Sequence, residues 1–551
     1  MGMPSQSVSN GLIYTSYTIF LIIGLSLAWR YRGQSKLEFI HSNRTQTAIP
    51  VALNFIASGE HSYRVLDFLK NVSMAFAVRW VTWVVQVPMG SAILFAYPEI
   101  GTIAGVQGAI TYAACSALPL MSFAVLAPKV RRKLPEGFIL TMWVKERYGL
   151  YAGLYLSFLT VATMFLYMVA ELSSLQQVIS ALTGLDGLPV VIVEVVVTSI
   201  YTSLGGFRIS FLTDNIQGVM IAILITICSI AIGTSVEIDR SKIAPSGLTR
   251  NTLLGYQLIY ILFTGILFSL MFLSSFWMRA FASKTDKDLW IGVSISAVVI
   301  FIILLLVSST GFIAVWAGVW EPGMYGGLAF FLLLAQLPSW VVGFTIVMVA
   351  ALSCAIFDSL QSAMVSTISN DLFRNKLSLL WVRIIVLLVS IPAIVVALKS
   401  PSVLRIFLIS NIFSCAAMPS ILLGLLDTMY FLRGVDIILA GIGGLFSVFL
   451  FGCAYYGDAK KAAELIILTS GLYANDWSVF GVFVAAPVGS LISLALAVTC
   501  RMGSVWVRCR VWGGRFDCLD KPLPKEDDVA GEGDGTPGGS LEDVEGRKVA
   551  G

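Results

Sequence analysis

The chain has little charge. Asp, Glu, Lys and Arg make up 12% of its 551 residues, about half the roughly 25% found in an ordinary soluble domain. So few charges cannot face water for a chain that is 57% hydrophobic. A cytosolic enzyme and a disordered chain are both excluded. Histidine is nearly absent: His41 and His61 are the only two, which argues against a His-rich metal site. The eight cysteines do not form a disulfide framework. Cys115, Cys228, Cys354, Cys415 and Cys453 lie inside apolar runs and read as small buried hydrophobes. Cys500, Cys509 and Cys518 flank the last apolar run, the kind of position where reversible palmitoylation occurs. No Walker motif is present, so ATP-driven transport has no support. No charged region precedes the first apolar run, so that run reads as a retained helix rather than a cleaved signal.

What the chain has in abundance is membrane-length apolar sequence. Mean hydropathy is +0.86, and the natural unit is a span of about 20 residues. The fold class is therefore an all-α polytopic membrane protein of about thirteen transmembrane helices. Candidate spans are 10–29, 72–98, 103–127, 152–180, 188–206, 215–235, 252–276, 290–319, 327–362, 379–398, 402–425, 434–455 and 478–500. Arg and Lys cluster on alternate loops: Arg30, Arg32, Lys36 and Arg44; Lys129 to Lys133 with Lys145 and Arg147; Arg279, Lys284 and Lys287; Arg374 and Lys376; Arg501, Arg508 and Arg510. The positive-inside rule then places the N-terminus outside and the C-terminus in the cytoplasm, with the plasma membrane as the expected location. The residues from Asp520 onward are acidic and Gly-rich and read as a disordered tail.

Four acids interrupt these spans: Glu171, Glu194, Asp214 and Asp358. Each costs at least ~2.5 kcal/mol at the bilayer centre and needs a reason. A buried acid with no Lys on its span either stays protonated or binds a cation; otherwise it is neutral packing glue between helices. Asp358, Ser362, Ser366 and Ser369 share one helical face, with Ser359 beside them. Such an oxygen stripe suits a hard cation or a proton. Pro88-Met89-Gly90 and the run from Gln336 through Pro338 to Gly343 are candidate helix interruptions.

The most specific motif is Ile200-Tyr201-Thr202-Ser203-Leu204-Gly205-Gly206-Phe207-Arg208-Ile209-Ser210-Phe211-Leu212-Thr213-Asp214-Asn215-Ile216-Gln217. It reads as a span ending at the Gly pair, a tight loop bearing Arg208, and a new helix capped by Thr213 or Asp214. It resembles the Tyr-Thr-x-x-Gly-Gly…Thr-Asp-x-x-Gln motif of the sodium:solute symporter family. Trp277-Met278-Arg279-Ala280-Phe281-Ala282-Ser283-Lys284 and Ser369-Asn370-Asp371-Leu372-Phe373-Arg374 are similar to two further segments of that family. The likeness covers roughly 12–500. Within the family, Phe276-Trp277-x-Arg279 and the basic loop Lys129–Pro135 look most like the urea/polyamine active transporters of fungi and plants.

The resemblance implies a LeuT-like core of two inverted five-helix repeats, alternating access and a solute site at the midplane. The chain then divides as follows: 1–43, an outer N-terminus, first helix and loop; 44–235, the first repeat; 236–251, an extracellular loop; 252–425, the second repeat; 426–510, peripheral helices; and 511–551, the tail. Candidate coupling residues are Asp358, Ser359, Ser362 and Asp214, with backbone near Ala57 and Ser58. Ser274, Phe276 and Trp277 are implied along the solute path. Two departures stand out. Counted back from Asp371, the family's sodium-site hydroxyl pair falls on Ala355 and Ile356, which have none; Ser353-Cys354 match only with a two-residue shift. Asp358, one turn on, then becomes the candidate for coupling, which favours protons. Residues 59–89 interrupt the first core helix with a charged run and read either as a retained intron, since Gly59-Glu60 can be encoded by GGTGAG, or as a real insertion.

The expected function is secondary active symport of a small polar solute, urea or a related nitrogen compound, with a proton or a sodium ion. No cofactor, resident metal beyond sodium, catalysis or nucleic-acid partner is implied. A non-transporting sensor on a transporter fold and a passive solute channel are the alternatives.

Overall fold

The computed structural model describes residues 4–30 and 90–519, apart from positions 136, 138, 374–375, 377, 400–401, 470–471, 473–475, 514 and 517. Ala57, Ser58, the 59–89 stretch and the tail beyond 519 lie outside the described residues, as does the side chain of Asp214. Every regular element among the described residues is helical. In chain order the α-helices are α1 (Gln6–Arg30), α2 (Ile93–Ala117), α3 (Met121–Lys133), α4 (Leu140–Tyr148), α5 (Leu150–Thr183), α6 (Leu188–Ser235), α7 (Arg240–Ser246), α8 (Leu253–Phe272), α9 (Ser274–Ala282), α10 (Asp286–Trp316), α11 (Ala329–Leu334), α12 (Ser339–Thr367), α13 (Leu379–Ala397), α14 (Val403–Leu423), α15 (Gly434–Tyr456), α16 (Ala459–Ile466) and α17 (Ser478–Trp512). All-helical architecture follows from the solvent, because in lipid each backbone N–H and C=O must be satisfied within its own segment. Nine helical runs among the described residues are long and apolar enough to cross a membrane. Shorter apolar stretches occur at 188–204, 223–235 and 387–397. They fall on the stretches read as spans, without by themselves fixing thirteen crossings.

Two long helical runs fold back on themselves. In α2, Gly105 takes φ +58° and ψ −145°, a conformation open to glycine. A Cβ there would lie 2.0 Å from the Leu248 carbonyl oxygen. Beyond it, Tyr112 stacks on Tyr97 at 3.9 Å between ring centroids, and Ser116 bonds the Tyr97 hydroxyl at 2.7 Å. Residues 97 and 116 would lie about 28 Å apart on a straight helix, so the chain reverses at Gly105. In α6, Glu194 meets Ser353 and Tyr201 meets Asp358, so this arm runs parallel to α12. Cys228 then meets Thr345, back toward the start of α12. The chain therefore reverses between Tyr201 and Cys228. Helical backbone fills this region, in place of the tight loop and the Thr213 or Asp214 cap expected from the sequence. Glycine lowers helix propensity but, unlike proline, leaves the hydrogen-bond ladder intact.

Two further boundaries differ from the sequence reading. The run around Pro338 is a helix start: α12 begins at Ser339 and continues unbroken to Thr367. Proline keeps the residue before it out of the helical region and suits the entry to a helix. The interruption instead lies between α8 and α9 at Leu273, which has φ −79° and ψ 97°. The loop expected at 236–251 contains the short exposed helix α7, capped by the Asp239 carboxylate on Ser241 N–H.

Close crossings rest on small residues, as they must where lipid supplies no hydrophobic drive between helices. A Cβ on Gly101 would lie 2.3 Å from the Ser308 carbonyl oxygen, and one on Gly311 would lie 2.1 Å from that of Pro98. This crossing locks α2 to α10. At the opposite end of the chain, Asp436 pairs with Arg501 at 2.9 Å and joins α15 to α17. All eight cysteines are free thiols.

Candidate solute and coupling site

A central cavity of about 180 Å³ opens among α2, α3's approach, α5, α8, α9, α10, α12 and α14. Its walls are largely aromatic and aliphatic: Tyr97 and Tyr112 from α2, Tyr167 from α5, Phe276 from α9 and Phe407 from α14. Its polar groups are few: Glu171, Arg279, Ser275, Ser359, Asn411 and Ser116. An apolar pocket with a small number of placed polar groups is the usual form of a small-molecule site.

Glu171 is the acid of this cavity, and the start of α2 explains its position. The first N–H groups of a helix have no partner within it and carry the positive end of its dipole. Here the Glu171 carboxylate takes them. It accepts from Ser91 N–H, from Ala92 N–H at 3.3 Å and from the Ser91 hydroxyl at 2.7 Å. Gly90 permits this approach, since a Cβ there would lie 2.1 Å from Glu171 Oε2. Among the described residues no Lys or Arg pairs with Glu171 or Glu194. Arg279 faces the same cavity, 5.5 Å over the Phe276 ring. The sequence reading placed Arg279 on a cytoplasmic loop; it is 2% exposed. A guanidinium survives such burial by stacking on an aromatic face.

Glu194 and Asp358 lie behind the cavity wall. Ser353 donates to Glu194 at 2.7 Å. Tyr17 of α1 donates to Glu194 at 3.2 Å. Tyr201 donates to Asp358 at 2.7 Å. Among the described residues no group of three acid, Cys or His side chains converges to hold a metal.

The other candidates separate cleanly. Phe276 and Ser359 line the cavity; Asp358 and Ser362 do not. The Ser362 hydroxyl is buried without a hydrogen-bond partner, and Ser366 bonds back to the Ser362 carbonyl at 3.0 Å. Ser274 bonds Thr367 at 3.0 Å and stands outside the lining. Trp277 is fully buried, its indole N–H donating to the Met271 carbonyl at 2.9 Å. That carbonyl belongs to the last turn of α8, freed by the break at Leu273. Ile356 lines the cavity, and the Ser353 hydroxyl donates to Glu194. Two buried acids escaped the sequence reading: Asp436, 1% exposed and paired with Arg501, and Glu99, 0% exposed. The signal was present in Tyr97-Pro98-Glu99-Ile100, but the span was ended at Pro98.

A cavity at the start of α2, with a helix break at Leu273 beside it, has the form of the solute site in secondary transporters of the LeuT-like class. Two solved structures share the fold. One is the substrate-bound, outward-open state of a Na+-coupled sialic acid symporter, at TM-score 0.60 and 15% identity over 88% of this chain and 97% of that one. The other is Mhp1, a nucleobase-cation-symport-1 family transporter in a closed conformation, at TM-score 0.52 and 12% identity over 84% and 96%. The sodium:solute symporter family profile matches residues 71–434. The chain belongs to the sodium:solute symporter family. It is 46% identical over 530 residues to the spermidine transporter DUR31 of Candida albicans, spanning 96% of both chains. It is 32% identical over 124 residues to the urea active transporter of Saccharomyces cerevisiae, 22% of this chain and 17% of that one.

Proposed function

We propose that this symporter carries a protonated amine of the polyamine class across the plasma membrane. The observation that supports the reading is the position of Glu171. In transporters of this architecture the half-helix N-terminus receives an anionic group of the solute. In this chain a protein carboxylate already occupies it, which disfavours anionic solutes and leaves a negative group on the cavity wall. Tyr97, Tyr112, Tyr167 and Phe276 add ring faces that attract cations. Arg279 directs the cation toward the Glu171 end by repulsion. The likeness to a spermidine transporter over nearly the whole chain agrees with this reading. Urea is the second reading, favoured by the cavity's Asn411, Ser275 and Ser359 and by the shorter match to a urea transporter.

The coupling ion is a proton on this reading, because Ala355 and Ile356 supply no hydroxyl for sodium. Asp358, Ser359 and Ser362 remain the proposed coupling region, with Asp214 and the backbone at Ala57 and Ser58.

Competition for radiolabelled spermidine uptake in a transport-deficient host tests the solute class. Unlabelled di- and triamines are expected to compete, while urea and carboxylates do not. Glu171→Gln is expected to reduce uptake at least about tenfold, the loss of one buried charge-assisted contact. Saturable urea uptake with no competition by polyamines contradicts the reading. Uptake that follows sodium and ignores pH contradicts the proton assignment.

A further inference from the structure

Arg131 lies in the last turn of α3, inside the basic run that ends that helix, yet it does not face water. Its neighbour Arg132 has a side chain 78% exposed, whereas that of Arg131 is 8% exposed. A long cation at the end of a membrane helix ordinarily extends its head to the aqueous side, so the burial of this one needs a reason. Its contacts supply it. Nη2 donates to the Ala280 carbonyl at 2.6 Å and to the Ser283 hydroxyl oxygen at 2.7 Å. Nη1 reaches Asp286 at 3.3 Å, and the guanidinium stands 5.7 Å over the Phe281 ring. Ala280 belongs to the last turn of α9, and Ser283 is the C-cap of that helix. The last carbonyls of a helix lack partners within it and carry the negative end of its dipole. Arg131 therefore closes the end of α9 with a cation supplied by α3.

α9 depends on such support. It is nine residues long, and helices shorter than about 12 residues are marginal on their own. It also carries two of the groups that line the cavity, Phe276 and Arg279. At its start, the Trp277 indole ties it to the Met271 carbonyl of α8 at 2.9 Å. α3 holds it at two points. Phe123 stacks on Phe276 with 5.8 Å between ring centroids and meets Trp277 edge-on at 5.2 Å. Arg131, about two turns further along α3, holds the far end. Phe123 and Arg131 both stand outside the cavity lining.

We propose that Arg131 is a positioning residue for the solute site: by fixing the end of α9 against α3, it holds the Phe276 ring and the Arg279 guanidinium at the cavity wall and so sets solute affinity without touching the solute. Close contact is what such positioning protects, because a gap of about 0.5 Å forfeits roughly a quarter of a contact's dispersion energy. The contacts that matter are those to Ala280 and Ser283. The pair with Asp286, whose side chain is 46% exposed, plays no part in it. The inference concerns the wall of the cavity and holds for spermidine and urea alike.

The test compares purified full-length wild type with Arg131→Lys, Ser283→Ala and Asp286→Asn. Uptake of radiolabelled spermidine and of radiolabelled urea is measured in proteoliposomes, and amide hydrogen exchange over 274–283 and the thermal midpoint in detergent. Lysine keeps the charge and can meet Asp286, but it lacks the planar fork that reaches Ala280 and Ser283 together. Arg131→Lys is expected to raise KM about threefold to tenfold with the maximal rate within about twofold of wild type, the size expected when wall contacts loosen. Exchange over 274–283 is expected to quicken while the thermal midpoint stays near that of wild type. Ser283→Ala keeps Arg131 and removes one small hydroxyl, so it serves where Arg131→Lys fails to fold; it is expected to raise KM about twofold or more and to quicken the same exchange. Asp286→Asn removes only a half-exposed ion pair and is expected to match wild type in both readouts. Wild-type KM, or wild-type exchange over 274–283, in both Arg131→Lys and Ser283→Ala overturns the inference. So does a rise in KM for Asp286→Asn as large as that for Arg131→Lys, which assigns the effect to the ion pair. Wild-type protein that takes up neither solute overturns the solute readings, and exchange over 274–283 then decides this inference alone.

Discussion

At the residue scale, the membrane interior makes each buried polar group account for itself. Trp277 and Phe276 are neighbours in sequence with different tasks. Trp277 Nε1 satisfies the Met271 carbonyl at the break before α9, whereas the Phe276 ring forms cavity wall. Trp277→Phe leaves that carbonyl without its donor, at a cost of about 1–3 kcal/mol. The expected result is a lower thermal midpoint in detergent with KM for uptake within about twofold of wild type. A changed KM at unchanged stability would instead place Trp277 on the solute. Tyr201→Phe removes the donor to Asp358, which is 0% exposed. Hydrogen bonds to charged groups contribute about 1.5–3 kcal/mol, so this variant too is expected to unfold at lower temperature. An unaltered midpoint would show that the Asp358 carboxyl is held by other contacts.

At the element scale, legibility followed the physics that each feature depends on. Spans were legible because length and apolarity are local properties of the chain. Glu171, Glu194 and Asp358 were legible because acids in apolar runs are rare. The break at Leu273 was not, since neither glycine nor proline marks it, and the bond from the Trp277 indole to the Met271 carbonyl six residues back has no sequence signature. Pro338 carried a strong local signal that fits an interrupted helix or a helix start equally well; packing decided for the start. Arg279 looked like a loop cation because charge on a sequence says nothing about an aromatic ring waiting beneath it. The reversal at Gly105 falls a few residues beyond the boundary read between the spans 72–98 and 103–127, because the apolar pattern locates a crossing but not the exact residue where the chain turns. Ser353 entered the sequence reading only as an out-of-register sodium ligand. Its contact with Glu194 depends on the parallel alignment of α6 and α12, which no local pattern encodes.

At the scale of the whole molecule, α1, the first arm of α6 and α12 run in the same direction. Tyr17 and Glu194 fix one pairing, and Glu194 with Ser353 and Tyr201 with Asp358 fix the other. Glu194 of α6 and Asp358 of α12 therefore lie together outside the cavity lining, with Tyr17 of α1 bonded to Glu194, while Glu171 of α5 lines the cavity itself. At the ends of the bundle, polar ties hold elements together. Arg131 and Arg132 meet Asp286, and Lys133 meets Asp427 and holds its carboxyl below the usual carboxylate range. Exposed pairs such as Lys133–Asp427 contribute little to stability and are screened by salt. Arg279 and Glu171 both line the cavity, and the proposed amine reading depends on that pair.

The most direct measurement is accumulation of radiolabelled spermidine by proteoliposomes holding the purified chain, under an imposed inside-negative potential and inward pH gradient, with Glu171→Gln beside wild type. Wild type is expected to concentrate spermidine above the outside level, and the Glu171→Gln protein to lose at least nine-tenths of that uptake, roughly the tenfold that one charge-assisted contact supplies. Equal accumulation by both proteins, or accumulation of urea with none of spermidine, would contradict a cation held by the acid at the start of α2.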